Sequence, residues 1–336
     1  MRAVVYSERG GPDVLRLVER PVPEPGPGEV RVAIAVSGVN PTDWKGRRSG
    51  PAPFPEVVPN QDGAGTIEAV GEGVDASRVG ERVWVWEAAW ERADGTAQER
   101  TVLPARQVVP LPDGVSFDVG ASLGIPALTA HRCLTVSLHG PSRLAPGALD
   151  GRTVLVAGGA GAVGHATIQL ARWAGARVIS TVSTDEKARL AQAAGAEDVV
   201  DYRKPEAADE LRRLAPDGVD VVVEVAPAPN AALDLAVLAP NGTVAAYATD
   251  GGGEVELPVW PLMSRNIAYQ FVLVYTVPAA AKDEAVADVS AAVAGGALPV
   301  GESAGLPLHR FPLERTGDAH SAVERGAVGK VLIDLG

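Results

Sequence analysis

Three glycines, Gly159, Gly161 and Gly164, stand between an apolar run, TVLVAG, and a helically periodic stretch, AVGHATIQLARWAG. This G-x-G-x-x-G pattern constrains the fold most, because it follows an expected strand and opens an expected helix. The first glycine permits a tight turn, the second lets backbone approach a pyrophosphate, and the third allows close packing of helix on strand. Free N–H groups and the positive end of the helix dipole then face an anion. Strand and helix go on alternating: RVISTV, a helix over 185–194, DVVDY, a helix over 205–214, VDVVVEVA, a helix over 230–238, and TVAAYAT. The alternation predicts an α/β fold, a doubly wound parallel sheet with helices on both faces that takes a dinucleotide.

The flanking sequence has another texture. Residues 3–6, 29–36, 65–70 and 82–86 are short β-branched or aromatic runs separated by Gly and Pro turns, and prolines at 21, 23, 25 and 27 exclude helix there. Beyond the alternating region, 267–275 reads as a strand, 279–294 as an amphipathic helix and 328–335 as a terminal strand. At 336 residues the chain exceeds the roughly 250 to 300 at which a single core stops growing. The expected organisation is a β-rich domain, 1–124 and 268–336, interrupted by a dinucleotide-binding domain, 125–267.

Which dinucleotide is decided at the end of the next strand, where a carboxylate would accept from the ribose 2′-OH of NAD and reject a 2′-phosphate. The chain has Ser180, Thr181, Val182 and Ser183 there, followed by Lys187, which favours NADPH. Asp185 is the competing candidate. In S-T-D-E-K it reads better as part of a helix start, where carboxylates favour the positive dipole end. Lys187 by itself reads more readily as a solvated helix lysine than as a phosphate ligand.

Charge and cysteine usage remove other classes. With 42 acidic against 30 basic residues, the net charge of -12 repels phosphate backbones and anionic lipid, so nucleic acid and membrane are not expected partners. No run approaches the 18 or so apolar residues of a membrane span. A lone cysteine, Cys133, forms no intrachain disulfide, and MRAVVYSERGG lacks the apolar run of a signal peptide; a cytoplasmic protein is expected. Five histidines, His131, His139, His165, His309 and His320, show no paired spacing near a cysteine or acid cluster, so no metal site is expected. Without a Lewis acid, oxidation of a simple alcohol lacks its usual activation. Quinones and conjugated enones accept hydride more readily.

Longer segments carry more specific information: GVNPTDWKGRRSG at 38–50, DGAGTIEAVGEGV at 62–74, VGERVW at 79–84, DGVSFDVGASLGIPALTAHRCL at 113–134, VLVAGGAGAVG at the nucleotide turn and AHSAVERGAVGKVLI near the carboxyl end. With these the chain resembles the zinc-free quinone oxidoreductases of the medium-chain dehydrogenase/reductase superfamily, the zeta-crystallin-like group, over almost its whole length. The resemblance implies a GroES-like catalytic domain interrupted by a Rossmann-fold NADPH domain. It places Asn40 beside the nicotinamide, where zinc enzymes have a cysteine, and Thr129 in the lining of the nicotinamide pocket. It gives Lys187, Tyr202 and Arg325, with the Ser183 strand end, to the 2′-phosphate. Ala160, Gly161, Ala162 and Val163 go to the pyrophosphate; Tyr247, Ala248 and Thr249, with Phe271, Val272 and Leu273, flank the nicotinamide.

One departure stands out. Relatives commonly have tyrosine and isoleucine in the stretch that here reads Asp43, Trp44, Lys45, and an indole donates a hydrogen bond without supplying a proton. Asp43 and Trp44 join Asn40 and Thr129 as candidate catalytic residues. Trp44, Trp86 and Trp90 together suggest a flat wall for an aromatic ring; alternatively, Trp84 and Trp86 alternate across a strand with one in the core. The implied activity is metal-independent hydride transfer from NADPH to a quinone or conjugated carbonyl, with the Asn40 amide stabilising charge on the acceptor oxygen and solvent giving the proton. The alternatives are an enoyl reductase acting on 2-alkenals or enoyl thioesters, and a non-catalytic NADPH-binding crystallin-like protein. The apolar segment IAYQFVLVY, placed at the nucleotide sheet's edge, predicts a homodimer that covers it.

Overall fold

The computed structural model describes residues 1–49 and 54–335; Gly50, the last residue of GVNPTDWKGRRSG, lies outside them. The chain divides into two units, Met1–Ile125 with Leu308–Gly336, and Pro126–Pro307. The first boundary falls inside a helix.

The first unit begins with β1 (Arg2–Val5), β2 (Arg16–Glu19), β3 (Glu29–Val39), α1 (Pro41–Arg48), β4 (Asp62–Val70), β5 (Arg82–Val85), β6 (Arg100–Pro104), β7 (Val108–Pro110) and α2 (Phe117–Thr135), which runs into the second unit. Along β3 the sequence alternates, and Val30, Val32, Ile34 and Val36 are buried while Glu29, Arg31, Ala33 and Ala35 are only partly so. That period of two turns one face to a core shared with Ile67, Val83, Leu103 and Ile333.

The second unit holds β8 (Thr153–Ala157), α3 (Ala162–Trp173), β9 (Arg177–Val182), α4 (Asp185–Ala194), β10 (Asp198–Asp201), α5 (Ala207–Leu214), β11 (Val219–Glu224), α6 (Pro227–Val237), β12 (Leu238–Ala246), α7 (Val259–Met263), β13 (Ala268–Phe271) and α8 (Ala279–Ala294). Its strands form a parallel six-stranded sheet in the order β10-β9-β8-β11-β12-β13. β8, β9 and β11 are buried along almost their whole length, as expected of strands in a parallel sheet covered on both faces. Thr184 caps α4 by accepting from the Lys187 N–H, and Gly195 ends it in the left-handed region at φ 114°.

The chain returns to the first unit with β14 (Leu308–Pro312), α9 (Thr316–Glu324) and β15 (Lys330–Asp334), which join the order β14-β15-β3-β4-β5-β7, with β6 on β3. The return comes at Leu308, where the sequence reading had it at 268. β13 hydrogen-bonds in parallel to β12 as the edge of the second unit's sheet, and 299–304 is tied to α3 by Gln169 Nε2 donating to the Pro299 carbonyl at 3.0 Å and by a 2.8 Å contact of His165 Nε2 with the Ala304 carbonyl. The strand read over 267–275 is also shorter, ending at Phe271.

Candidate functional site

In the second unit the chain steps outward from β8 in both directions: β9 and β10 to one side, β11, β12 and β13 to the other. The carboxyl ends of β8 and β11 therefore frame a topological switch point, the place where open α/β sheets bind ligands. The glycine turn leaves β8 there. Its left-handed residue is Gly158, at φ +71°, just before the first glycine of the motif. Gly159 is demanded by packing instead: a Cβ on it would stand 2.2 Å from Ser180 Oγ and 2.8 Å from Ile168 Cδ1. Gly164 is likewise a packing glycine, because a Cβ would approach the Gly158 carbonyl oxygen to 2.4 Å. Gly161 differs. A Cβ there would meet only the Gly158 oxygen, at 3.5 Å, and the residue is exposed at the N-terminus of α3. The protein's own packing leaves room at Gly161, and what occupies that room faces the unpaired N–H groups of Ala162 and Val163. The residues present thus fit a dinucleotide pyrophosphate.

At the far side of the same edge, Lys187 Nζ donates to Ser183 Oγ at 3.2 Å. Tyr202 comes level with them because its N–H donates to the Val182 carbonyl at 3.1 Å, continuing the β9 and β10 pairing. The residue is 43% exposed. Asp185 is the first residue of α4 and is exposed, in keeping with a helix start rather than a ligand-facing strand end. Arg203, the next residue after Tyr202, is held by Asp201 through its Nε at 3.0 Å and Nη2 at 2.8 Å. On the other flank the Tyr247 N–H donates to the Glu224 carbonyl and the Val272 N–H to the Ala246 carbonyl. Ala248 and Thr249 follow Tyr247 off the end of β12, and Phe271 and Leu273 are exposed around buried Val272. The structure therefore brings the glycine turn, Ser183, Lys187, Tyr202, Tyr247–Thr249 and Phe271–Leu273 to one edge of one sheet. Thr129 is buried in α2 within this unit. Arg325 is exposed at the C-cap of α9, in the first unit.

A buried carboxyl pair at this edge had no sequence signal. Glu224, at the end of β11, accepts from the Ala226 N–H and from Asn230 Nδ2. Burial raises its carboxyl, and burial together with Glu224 raises that of Asp234 well above the usual range.

The first unit holds the second group of candidates, at the start of α1. Asn40 caps this helix and Pro41 opens it, a favoured first position because its missing N–H would be unpaired anyway. Asp43, three residues on, reaches back to accept the Asn40 N–H at 2.7 Å. The Asn40 side chain is spent elsewhere: Nδ2 donates to Asp62 Oδ2 at 2.7 Å and Oδ1 accepts from Lys330 Nζ at 2.7 Å. Lys330 Nζ lies 3.5 Å from Asp62 Oδ2, and Asp62 Oδ1 accepts the Ile125 N–H at 2.9 Å. All four side chains are buried. Burial pushes the Asp43 carboxyl up to about 8, Asp62 adding to the shift and the Asn40 N–H and Lys330 opposing it. Burial also raises Asp62 and lowers Lys330, and each charge opposes the other's shift. Asp62 and Lys330 lie in two of the segments that carry the family resemblance, 62–74 and 319–333, but neither was singled out there as a site residue.

The tryptophan wall needs correction. Trp84 and Trp86 are both in the core, 0% and 1% exposed, with the Arg106 guanidinium 5.3 Å from the Trp86 ring centre. A period of two puts residues 84 and 86 on the same side of an extended chain, so the two indoles turn inward together and no alternation sends one of them outward. Trp44 is partly exposed, with Lys45 Nζ 5.8 Å from its ring. Three histidines are spoken for in the interior, His131 by Asp288, His165 by the Ala304 carbonyl and His320 by Asn60. Among the described residues no group of three or more His, Cys, Asp or Glu is placed to hold a metal ion, and no helix is long and apolar enough to cross a membrane.

Comparison with known proteins places these two units. Residues 26–113 match the alcohol dehydrogenase GroES-like domain and 162–291 the zinc-binding dehydrogenase domain. The quinone oxidoreductase of Lama guanicoe is 32% identical over 341 residues, covering 100% of this chain and 98% of the relative. Among solved structures, an NAD-dependent alcohol dehydrogenase superposes with a TM-score of 0.87 at 30% identity, and a mycobacterial protein complexed with NADPH with a TM-score of 0.83 at 32% identity, each over 100% of both chains. Likeness of this extent means that the chain belongs to the quinone oxidoreductase family of the medium-chain dehydrogenase/reductase superfamily.

Proposed function

We propose that the protein is an NADPH-dependent quinone reductase that works without a metal. The observation that carries the cofactor is the β9 strand end, where a carboxylate would select NAD: the chain offers the Ser183 hydroxyl with the Lys187 ammonium 3.2 Å from it, a pair suited to a 2′-phosphate. Tyr202 beside them gives the adenine end a ring face. Gly161 and the N–H groups of Ala162 and Val163 hold the pyrophosphate, and Tyr247, Ala248, Thr249, Phe271, Val272 and Leu273 border the nicotinamide with Thr129. When bound, the reduced dinucleotide supplies a hydride, which with a solvent proton takes a quinone to the hydroquinone.

The chain's own contribution is orientation and charge stabilisation. Asn40 Nδ2 carries two protons and gives one to Asp62. The second donates to the acceptor oxygen as negative charge grows there. The absence of a metal-binding group among the described residues supports acceptors that need no Lewis acid. Trp44 borders the acceptor, and Asp43 keeps the Asn40 backbone in place. Asn40→Ala is expected to lower turnover on an ortho-quinone about a hundredfold while leaving NADPH affinity unchanged. Unchanged turnover would remove Asn40 from the mechanism.

The assembly and location belong to the same reading. β13 is the edge of its sheet, and Val259, Trp260, Met263, Phe271 and Leu273 form a run of exposed apolar side chains on α7, β13 and the residues after it. Pairing of two such edges about a two-fold axis gives a homodimer, which light scattering at micromolar concentration tests. With Cys133 buried and no disulfide, the enzyme suits the cytoplasm.

A further inference from the structure

A buried ion pair is an odd thing to find against a polar side chain. Replacing such a pair by apolar residues of similar volume is often neutral or stabilising, whereas removing one partner alone costs about 3 to 5 kcal/mol. Stability therefore does not explain why Lys330, 1% exposed, and Asp62, 0% exposed, stand 3.5 Å apart inside the first unit. What they share is Asn40. The ammonium takes its Oδ1 and the carboxylate takes its Nδ2, each at 2.7 Å. Flipping the carboxamide would set its N–H groups against an ammonium and its oxygen against a carboxylate, so this ion pair fixes the one rotation that an amide otherwise leaves open.

The surroundings are built to keep the pair there. Gly124 lets the backbone close on Asp62, since a Cβ on it would stand 2.1 Å from Asp62 Oδ1, and Ile125 then donates to that oxygen. Gly38 lets β3 close on α2, since a Cβ there would stand 2.1 Å from the Ala121 carbonyl oxygen, and Lys330 Cε lies beside the same spot at 3.1 Å. Asp62 is thus held from two sides, by Ile125 and by Lys330, and both charges meet at Asn40.

We propose that Lys330 and Asp62 are positioning residues that lock the Asn40 carboxamide with its second Nδ2 proton directed at the acceptor oxygen. This rests on the assignment of Asn40 as the oxygen's donor, and a double-mutant cycle separates the two claims. Turnover on an ortho-quinone, its KM, the NADPH Kd and the melting temperature are measured for Lys330→Met, Asn40→Ala and the double variant. If Lys330 acts through Asn40, Lys330→Met lowers kcat about tenfold with the NADPH Kd unchanged, and lowers it no further once Asn40 is alanine. An equal kcat loss in both backgrounds, or a lowered melting temperature with kcat intact, overturns the positioning role. Full turnover by Asn40→Ala would instead overturn the assignment of Asn40 itself. Should Lys330→Met fail to fold, Lys330→Met with Asp62→Leu removes both charges at nearly constant volume and is expected to be at least as stable as the parent. It must show the same loss of kcat, dependent on Asn40; wild-type kcat in that variant is equally decisive against the proposal.

Discussion

Asp62 reaches the Ile125 amide at 2.9 Å only because residue 124 has no side chain: a Cβ on Gly124 would stand 2.1 Å from Asp62 Oδ1. Gly124→Ala must therefore displace either the carboxylate or α2. The expected result is a loss of about 1 to 3 kcal/mol of stability in chemical denaturation, with turnover falling beyond what the lost folded fraction explains. Wild-type stability would mean that the contact has slack.

The glycines of the nucleotide turn separate packing from binding. Gly164→Ala meets the Gly158 carbonyl at 2.4 Å and should lower the melting temperature whether or not cofactor is present. Gly161→Ala meets nothing nearer than 3.5 Å and should melt like the parent without cofactor while NADPH binding weakens about tenfold or more. Calorimetry with and without NADPH reads both. Normal binding by Gly161→Ala would show that the pyrophosphate lies elsewhere.

Lys187 carries the choice between cofactors. Removing a charged donor to a phosphate forfeits about 1.5 to 3 kcal/mol, so Lys187→Ala should raise the NADPH Kd by roughly ten- to a hundredfold. The NADH Kd should not move, because NADH brings no 2′-phosphate to that corner. Equal weakening of both would make Lys187 a structural residue.

Two buried groups give the folded chain opposite responses to pH. Asp43, raised from 3.8 to about 8, holds its proton more tightly folded than unfolded, so its contribution to stability is present at low pH and is lost as pH rises through about 8. His320, lowered from 6.5 to about 3 chiefly by burial and secondly by Arg47, is neutral when folded. Its contribution is present above 6.5 and is lost as pH falls toward about 3. Denaturant titrations across pH should show Asp43→Asn flattening the decline that runs upward in pH from 3.8 to about 8, and His320→Gln flattening the one that runs downward from 6.5 to about 3. Parallel curves for parent and variant would contradict either assignment.

Local signals explain what the sequence made legible. The helices read over 185–194 and 279–294 have those same bounds, the first because Thr184 and Gly195 mark its ends with their own chemistry. α1 and α2 went unread. α1 has eight residues with little apolar periodicity, and α2 carries Gly120, Gly124 and Pro126, which look like breakers until β4 is seen packed against the glycines. Asn40 and Asp43 were visible through a motif, but Asp62 and Lys330 acquire their role only through contacts between distant parts of the chain. The glycine pattern named the right turn, but that Gly159 is required by packing on Ser180 and Ile168 shows only in the fold. Trp86 was misplaced because residues 84 and 86 share a face in a period of two, so the burial of one indole carries the other inward with it.

The most direct test of NADPH-dependent, metal-independent quinone reduction is the rate of NADPH oxidation by enzyme dialysed against a chelator, with ortho-quinones, para-quinones, alkenals and enoyl thioesters as acceptors and NADH as the competing donor. Turnover should be highest with a quinone and NADPH, and should survive the chelator. Faster turnover on enoyl thioesters or alkenals, a preference for NADH, or activity restored only by added zinc would contradict it.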